Sequence, residues 1–496
     1  MPLGSPIPHS TGGTRLTPSK SAPARTHNPQ TIRALSEAFR AGTLSPIAAT
    51  KACLGRIEKL GRALNCFITV LGEPALRAAE ESESRHRAGA ALGPLDGIPI
   101  AVKDVFYIKG VRCTAGSRIL AENIASYDST AVRRLKEQGA VLVGTTNLHE
   151  FAAGVTSDNP NFGPVRNPWD HDRVAGGSSG GSAVAVTTGM AAGAIGTDTA
   201  GSVRIPAALC GIMGFKPTYG RVSRLGVIPL AASLDTVGVL AQSAWDSAAL
   251  LQAIAVHDKS DMTTVDEPVP DYLENLSAPF PGARIGVVRP YFHDDVDPSV
   301  EENFERFASN LRDIGCTVGE ADLDEVQEIY EKWLVIRRAE ATAFHQKWLD
   351  TVPELYGEDV RRLLELGKDI RAVDYVNAIN SRPSIIERFS QAMDRFDFLI
   401  APTTSIPAPR IGQKTTTING KEITVYSALN RLTLPFNYVG FPVASIPSGV
   451  ADGLPLGVQV IGKLFDETAV LRLAHAYEGR FGLFSLPSSE SLTETP

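Results

Sequence analysis

The spacing of apolar residues along the chain predicts helices and strands that follow one another. Apolar residues recur at helical spacing in the segments 31–40, 46–60, 129–138, 300–314, 324–350 and 384–396. Short, mostly apolar runs predict buried strands over 97–102, 140–144, 285–288 and 398–401. Pro99 weakens the first of these strands, because proline has no N–H to give to a neighbouring strand. The strand, helix and strand between 97 and 144 form a β-α-β pattern, which is typical of an α/β fold.

The chain is predicted to consist of a polar lead-in, one large folded unit and a short tail. Residues 1–28 contain five prolines and no acidic residue, so this segment cannot bury enough apolar surface to offset the entropy lost on ordering. We therefore expect a disordered lead-in. A targeting peptide is the alternative, since three basic residues lie there, although the prolines disfavour an amphipathic helix. Residues 29–484 are predicted to form a single α/β unit with a helical insertion around 295–395, and residues 485–496 a polar tail.

The composition excludes several classes of protein. With 496 residues, of which 43% are hydrophobic and 21% charged, the chain can bury a sizeable core without disulfides. Its formal net charge of -7 disfavours a protein that coats nucleic acid. No apolar stretch approaches the roughly 20 residues of a membrane-spanning helix. The five cysteines form no Cys-x-x-Cys pair and hence no zinc site, which indicates a reducing compartment, so we expect a cytoplasmic protein without a metal.

A glycine- and serine-rich segment, Ala175-Gly-Gly-Ser-Ser-Gly-Gly-Ser182, admits several interpretations. It contains the Gly-x-Ser-x-Gly pattern of α/β-hydrolases twice, but a run of glycines matches that pattern almost automatically, and no histidine lies in a motif-like setting. A phosphate-binding loop is excluded because Ser182 stands where the lysine is required. A flexible linker is disfavoured because apolar residues follow directly, so the segment predicts a packed turn that enters a helix.

Three residues could together support nucleophilic catalysis. Lys103 ends an apolar strand, so its ammonium either reaches solvent at a sheet edge or is buried with a lowered pKa. A neutral lysine can act as a base toward a serine hydroxyl. Ser178 lies within the glycine-rich turn. Ser202 follows the small residues 199–201, whose backbone N–H groups could converge to form an oxyanion hole.

The blocks that contain these residues resemble the amidase signature family. They are Gly97-Ile-Pro-x-x-x-Lys103-Asp104, the block 176–182, and Gly196-Thr-Asp-x-x-Gly-Ser-x-Arg204, and the separation of 24 residues between Ser178 and Ser202 also fits. Further matches lie at 144–151, 167–168 and 214–218, so the resemblance covers about residues 30–482. It implies the amidase signature fold, an α/β/α arrangement in which a large mixed β-sheet core is flanked by helices. It also implies an amidohydrolase that cleaves a carboxylic amide without a cofactor.

The resemblance further implies a role for each residue. Ser202 is the nucleophile that forms an acyl-enzyme, Ser178 is a bridging serine behind a cis Gly177–Ser178 peptide bond, and Lys103 is the base. A serine hydroxyl can donate one hydrogen bond while it accepts another, as a proton relay requires. The other implied site residues are the oxyanion-hole donors Thr199, Ala200 and Gly201 and the supporting residues Gly177, Asp198 and Arg204. Ser179 and Ser182 are expected only to form hydrogen bonds within the turn.

Further segments bear on the kind of amide that is cleaved. The segments 216–224 and 233–238 resemble the A subunit of tRNA-dependent amidotransferases, which would make the chain a glutaminase subunit. Two departures count against this interpretation. First, the residues that follow Glu340-Ala341 lack the Ser- and Asn-rich run and the characteristic Tyr of that subunit. Second, Asn430 stands where that subunit has the Asp that holds the amino group of glutamine. Arg361 and Arg362 resemble an Arg pair of the same protein but fit a charged helix face equally well.

We therefore predict a stand-alone amidase that takes a small-molecule amide and binds neither nucleic acid nor membrane. The alternatives are the glutaminase of an amidotransferase, a hydrolase of carbamates or urea-type compounds such as urethanes and allophanate, and a non-catalytic binding protein on the same fold. The last is disfavoured because Lys103, Ser178 and Ser202 are all present. The quaternary state stays open between a monomer and a homodimer.

Overall fold

The computed structural model describes residues 30–323 and 326–487. The lead-in predicted at 1–28 lies outside these residues, as does all but the start of the tail predicted at 485–496. The α-helices of the described chain are α1 (Ile32–Arg40), α2 (Pro46–Leu64), α3 (Gly72–Arg87), α4 (Thr130–Glu137), α5 (Gly180–Thr187), α6 (Arg204–Cys210), α7 (Ala244–Ile254), α8 (Pro298–Asp313), α9 (Val326–Thr351), α10 (Glu358–Glu365), α11 (Ala372–Asn380), α12 (Arg382–Ala392), α13 (Val425–Asn430), α14 (Pro435–Val439) and α15 (Glu467–Phe481). The hydroxyls of Thr31, Ser45 and Ser129 accept hydrogen bonds from the first turns of α1, α2 and α4, which fixes where these helices begin.

The strands comprise one large sheet and three short hairpins. They are β1 (Phe67–Val70), β2 (Pro99–Lys103), β3 (Val141–Thr146), β4 (Asp158–Asn159), β5 (Gly163–Pro164), β6 (Arg166–Asn167), β7 (Asp170–Val174), β8 (Gly193–Asp198), β9 (Met213–Lys216), β10 (Thr236–Ala241), β11 (Arg284–Val288), β12 (Thr317–Ala321), β13 (Phe398–Pro402), β14 (Thr415–Ile418), β15 (Lys421–Thr424), β16 (Val443–Ala451) and β17 (Leu454–Ile461). The hairpins are β4–β5, β6–β7 and β14–β15.

The large sheet has 11 strands in the order β1-β3-β2-β8-β10-β9-β16-β17-β13-β11-β12. Its pairs β2/β3, β2/β8, β11/β13 and β11/β12 are parallel. The pairs β8/β10, β10/β9, β9/β16, β16/β17 and β17/β13 are antiparallel, as is β1/β3. The predicted large mixed sheet is therefore confirmed.

Successive residues of an interior strand pack against opposite layers of helices. On β2, Ile100 and Val102 belong to the apolar cluster that includes Val132 of α4. Ala101, which lies between them, belongs to the cluster that includes Ala183 of α5. Because side chains alternate along a strand, the two faces of the sheet are both covered, and the predicted α/β/α layering is confirmed.

The periodic segments form the elements that the sequence predicts, with end points that move by a few residues. The segment 97–102 becomes β2, and the segments 46–60 and 384–396 become α2 and α12. The region 295–395 differs from the prediction because it is not helical throughout. Its residues Thr317–Ala321 form β12, which extends the large sheet by pairing in parallel with β11.

Candidate active site

Two neighbouring parallel strands bring the predicted site residues together. β2 and β8 pair in parallel, with Val102 opposite Ile195. The carboxyl ends of parallel strands meet at the same edge of a sheet. Lys103 is the last residue of β2, and the turn that contains Ser202 follows β8 directly. Ser178 reaches the same edge from the turn that precedes α5.

Lys103 is fully buried, and its amine contacts two hydroxyl groups. Its Nζ donates hydrogen bonds to Ser178 Oγ at 2.7 Å and to Thr197 Oγ1 at 2.8 Å. Burial lowers the pKa of Lys103 from 10.5 to about 7, against a smaller opposing effect of Asp235 and Asp198. A lysine that reaches solvent at a sheet edge is therefore excluded, because β2 lies between β3 and β8.

Ser178 is held by its backbone as well as by Lys103. Its carbonyl accepts hydrogen bonds from the backbone N–H of His149 and from Ser157 Oγ, each at 3.2 Å. The Gly177–Ser178 peptide bond is cis, as the family resemblance implies. A Cβ on Gly177 would lie 2.7 Å from the backbone nitrogen of Ser157, so this position accepts only glycine.

Ser202 lies in the turn between β8 and α6, and only 4% of its surface is exposed. Its carbonyl accepts a hydrogen bond of 3.1 Å from the N–H of Ser179, which ties the two serine-containing turns together. The Ser202 side chain lines a pocket that is also lined by Trp333 and Arg337. Within the described chain no hydrogen bond of its hydroxyl is seen, so this hydroxyl is available to a molecule in the pocket.

The predicted oxyanion donors do not all have a free N–H. The N–H of Gly201 donates to Asp198 Oδ1 at 2.7 Å, so this group supports the turn instead of pointing at a substrate. For Thr199, Ala200 and Ser202 the described residues show no acceptor of the backbone N–H. These three groups are the remaining candidates for an oxyanion hole.

Asp198 and Arg204 form a fully buried ion pair beneath the Ser202 turn. Arg204 donates from Nη2 to Asp198 Oδ1 at 2.9 Å and from Nε to Oδ2 at 3.0 Å. Burial by itself would raise the pKa of Asp198, but the Arg204 charge and hydrogen bonds hold it well below its usual range. Asn437 and Gln459 complete the network by hydrogen bonds to the same pair. The predicted supporting residues thus lie in contact with the turn that holds Ser202.

The structure also adds residues that the motifs do not reveal. Thr197 shares the amine of Lys103 with Ser178. Trp333, on α9, donates from Nε1 to the carbonyl of Thr199 at 3.1 Å and so fixes the same turn. Arg337 lies one helical turn further along α9 and reaches the Ser202 pocket. The sequence gives only one sign of these two residues, a Trp and an Arg four residues apart in a predicted helix, and such a pair is too common to indicate a site.

Other residues singled out in the sequence have structural roles. Ser179 Oγ donates to the carbonyl of Thr197 and Ser182 Oγ to that of Ile195, so both bind strand β8 and not the turn itself. Arg361 pairs with Glu365 along α10 at 3.7 Å, which supports the interpretation as a helix face.

The immediate surroundings of Ser202 are closely packed. The pocket that it lines encloses about 10 Å³, which is about the space of one water. A larger cavity of about 270 Å³ is lined by Thr197, Arg224 and Asp235, among others. An amide substrate can therefore reach Ser202 only if side chains in the wall of the smaller pocket move.

No group of three or more His, Cys, Asp or Glu side chains in residues 30–323 and 326–487 has the arrangement of a metal site. None of the helices in these residues combines the length and apolar character needed to cross a membrane.

Comparison with known proteins assigns the chain to a family. The family model described as Amidase matches residues 48–471. This chain therefore belongs to the amidase family, whose members hydrolyse amides, and the resemblance inferred from its motifs is confirmed.

Curated relatives match over nearly their whole length. The chain is 37% identical over 471 residues to the A subunit of Glutamyl-tRNA(Gln) amidotransferase from Moorella thermoacetica, covering 90% of this chain and 96% of that protein. It is 40% identical over 471 residues to the protein of the same name from Chloroflexus aurantiacus, with the same coverage.

Solved structures of several kinds share the fold. A chain of a vestigial protein complex, described as revealing the evolutionary origins of an s-triazine catabolic enzyme, has a TM-score of 0.88 and 33% identity, covering 92% of this chain and 100% of that one. The A subunit of Glutamyl-tRNA(Gln) amidotransferase from Thermotoga maritima has a TM-score of 0.77 at 33% identity, covering 93% and 99%. A peptide amidase has a TM-score of 0.81 at 30% identity, covering 92% and 99%.

Proposed function

We propose that this chain hydrolyses a small-molecule amide through an acyl-enzyme on Ser202, with Ser178 and Lys103 as its proton relay. The observation that carries this proposal is the 2.7 Å hydrogen bond between a fully buried Lys103 and Ser178, beside the turn of Ser202. Because burial lowers the pKa of Lys103 to about 7, its neutral form is accessible at neutral pH and can accept a proton.

In the first half of the reaction, Ser202 Oγ attacks the amide carbon. The Ser202 and Ser178 hydroxyls form no hydrogen bond in the described chain, so they must first come into contact. The Ser202 proton then passes to Ser178 Oγ, and the Ser178 proton passes to the neutral amine of Lys103. The carbonyl oxygen becomes an oxyanion, to which the N–H groups of Thr199, Ala200 and Ser202 would donate. The C–N bond then breaks, and the proton held by Lys103 returns through Ser178 to the leaving nitrogen. This yields a neutral amine or ammonia and an ester on Ser202.

In the second half of the reaction, a water molecule takes the place of the amine. Ser178 and Lys103 remove one proton from the water as its oxygen attacks the ester carbon. The proton then returns to Ser202 Oγ as the ester bond breaks, and a carboxylic acid leaves. Each group ends in its starting state, so the relay needs no metal or cofactor to balance.

The uncharged asparagine at position 430 favours a stand-alone amidase over a glutaminase. Asn430 ends α13, is buried, and has an Nδ2 group without a hydrogen-bond partner in the described chain. A neutral amide cannot balance the ammonium group of glutamine as a carboxylate can. The proposed reaction class is therefore the hydrolysis of a linear C–N bond in a small amide other than a peptide, and carbamates and urea-type compounds undergo the same chemistry.

The glutaminase of an amidotransferase is the second candidate, and the curated relatives favour it. The Moorella and Chloroflexus proteins, at 37% and 40% identity, both carry the name of the A subunit of Glutamyl-tRNA(Gln) amidotransferase. On this proposal the chain would work beside other subunits to supply ammonia for a reaction on tRNA. The solved structures support the first candidate as well, because a structure described as an amidase matches at 33% identity with a TM-score of 0.83.

One experiment tests both candidates. Purified protein is given a panel of primary amides, anilides, carbamates and glutamine, and Ser202 is probed with a fluorophosphonate whose attachment site is mapped by mass spectrometry. The proposed function requires hydrolysis of a small amide by the chain alone and a label on Ser202. Hydrolysis of glutamine that appears only with the other amidotransferase subunits would favour the second candidate. A protein that is neither labelled nor active would be a binding protein on this fold.

A further inference from the structure

Arg337 is a buried cation in the wall of the Ser202 pocket. It lies in the middle of α9, only 3% of its surface is exposed, and it lines the pocket together with Ser202. Within the described chain its hydrogen bond is a long one, 3.4 Å from Nη2 to the carbonyl of Ala153. A guanidinium has five N–H groups, so most of its donor capacity is directed at no protein acceptor.

Two other buried arginines in the described chain have a carboxylate partner, and a third, Arg431, donates to the backbone carbonyls of Tyr291 and Asp295. Arg204 pairs with Asp198 at 2.9 Å, and Arg221 pairs with Glu467 at 3.3 Å. No such ion pair is seen for Arg337, and burial lowers its pKa below the usual value for arginine. Burying a charge without a partner is costly, so a protein retains such a group where something else supplies the opposite charge.

The rest of the pocket wall supplies no opposite charge. Arg337 is the one charged residue among the described residues that line this pocket. Asp235 attracts it from a greater distance, and that carboxylate already accepts hydrogen bonds from Thr199 Oγ1 and from the N–H of Leu230. The pocket that contains the nucleophile therefore presents a single positive charge to whatever enters it.

We propose that Arg337 binds a carboxylate of the substrate, so that this enzyme acts on amides that also carry a carboxylate group. The inference rests on the proposed function, because it takes the Ser202 pocket as the place where the amide is cleaved. The planar fork of a guanidinium matches the two oxygens of a carboxylate. On binding, the long hydrogen bond to the Ala153 carbonyl is exchanged for charge-assisted hydrogen bonds to the substrate.

The same pocket discriminates against an ammonium group on the substrate. The wall of the pocket carries no negative charge, and Asn430, which by the family resemblance stands where an Asp holds the amino group of glutamine, is also uncharged. Glutaramate, the monoamide of glutaric acid, has the amide and the carboxylate of glutamine but lacks its amino group. The proposal therefore ranks glutaramate above glutamine, whereas a glutaminase would rank them in the opposite order.

The first test uses the unmodified protein and needs no knowledge of the natural substrate. The monoamides of malonic, succinic and glutaric acid are compared with their methyl esters, which keep the amide and lose only the negative charge. Each compound is assayed for hydrolysis and for protection of Ser202 against a fluorophosphonate. We expect at least one monoamide acid to exceed its ester by roughly 10- to 100-fold, the usual value of hydrogen bonds to a charged group. Equal protection by acids and esters, or protection by neither, would overturn the proposal.

The second test changes the charge at position 337. Arg337→Gln should lose the preference for the acid over its ester, while Arg337→Lys should keep part of it. The control is Arg338→Gln, which removes the same charge from the next residue of α9, a residue that does not line the pocket. Arg338→Gln should keep the full preference. A variant Arg337→Gln that slows acid and ester equally would show a structural role only and would overturn the proposal.

The two proposals fail in different ways. If the Ser202 chemistry of the proposed function is wrong, the wild-type protein does not label at Ser202 and hydrolyses none of the compounds. If only the role of Arg337 is wrong, labelling and hydrolysis of neutral amides persist without any preference for carboxylates. Should Arg337→Gln not fold, the comparison of acids with esters on the wild-type protein still decides the question.

Discussion

Lys103 Nζ lies 2.7 Å from Ser178 Oγ, so that a buried amine at the end of an apolar strand has a hydroxyl as its partner. Its other close partner, Thr197 Oγ1 at 2.8 Å, is a hydroxyl as well. Neutral partners stabilise an ammonium less than a carboxylate does, so burial determines the pKa and lowers it to about 7. The packing of β2 thus produces a base that can exchange a proton at neutral pH.

The first prediction concerns the pH dependence of amide hydrolysis. At pH values below its pKa of about 7, Lys103 is an ammonium without a lone pair. At pH values above this pKa, its neutral amine can accept a proton. We therefore expect kcat/KM to rise with pH through about 7 and then to level off. Lys103→Ala should lose amide hydrolysis by roughly 10²- to 10⁴-fold and ester hydrolysis by less, because an alkoxide leaves without a returned proton. Profiles of kcat/KM against pH on a matched amide and ester measure both effects.

Lys216 provides the control for this prediction. It is also fully buried, and burial lowers its pKa to about 7, but its Nζ donates to the carbonyl of Pro217 and not to a serine. Lys216→Met should leave the midpoint of the pH profile in place. If the midpoint disappears in Lys216→Met and persists in Lys103→Ala, the titrating group is Lys216, and the prediction for Lys103 is wrong.

The second prediction concerns the nucleophile. Ser202→Ala should abolish turnover and fluorophosphonate labelling and leave the unfolding transition nearly unchanged, because its hydroxyl has no hydrogen bond in the described chain to lose. The control is Ser179→Ala, whose hydroxyl only donates to the Thr197 carbonyl at 3.3 Å and which should remain labelled and active. Undiminished activity in Ser202→Ala would contradict the proposed mechanism as a whole.

Much of the site was predictable because its residues lie in short local blocks. Lys103 ends an apolar run, and Ser178 and Ser202 lie in turns whose small residues are visible in the sequence. The β-α-β pattern of the sequence matches the parallel pairing of β2 with β3. The pairing of β2 with β8, which makes these residues neighbours, was not predicted, because no strand was assigned to residues 193–198.

Trp333 and Arg337 were not predictable in this way. They contact the Ser202 turn and pocket from a helix more than a hundred residues away, and helical periodicity tells only which of its faces is buried. The partner of the Gly201 N–H was missed for a similar reason. A small-residue turn suggests free donors, but whether each N–H faces a substrate or Asp198 depends on the folded turn.

The third prediction concerns the ion pair beneath the turn. Asp198→Asn leaves Arg204 buried without its charge partner, and breaking such a pair typically costs about 3–5 kcal/mol of stability. We expect a lower midpoint of urea unfolding together with reduced activity, because Asp198 also holds the N–H of Gly201. The control is Asp374→Asn, which breaks an exposed pair with Arg371 of 2.7 Å and should change stability little. Equal effects of the two substitutions would show that the buried pair does not support the site.

The last prediction separates the two candidate functions. Because Asn430 is buried and carries no charge, the ammonium of glutamine would lose its water without gaining an opposite charge. We expect kcat/KM for glutamine to lie roughly 100-fold below that for the best small amide, a difference of about 3 kcal/mol. The assay follows ammonia release by the chain alone and after addition of the other amidotransferase subunits with glutamyl-tRNA. Asn430→Asp is the matched variant and should narrow the gap by restoring a carboxylate at that position. If the unmodified chain uses glutamine efficiently and thereby supports transamidation, it is the glutaminase of an amidotransferase, and the stand-alone function is wrong.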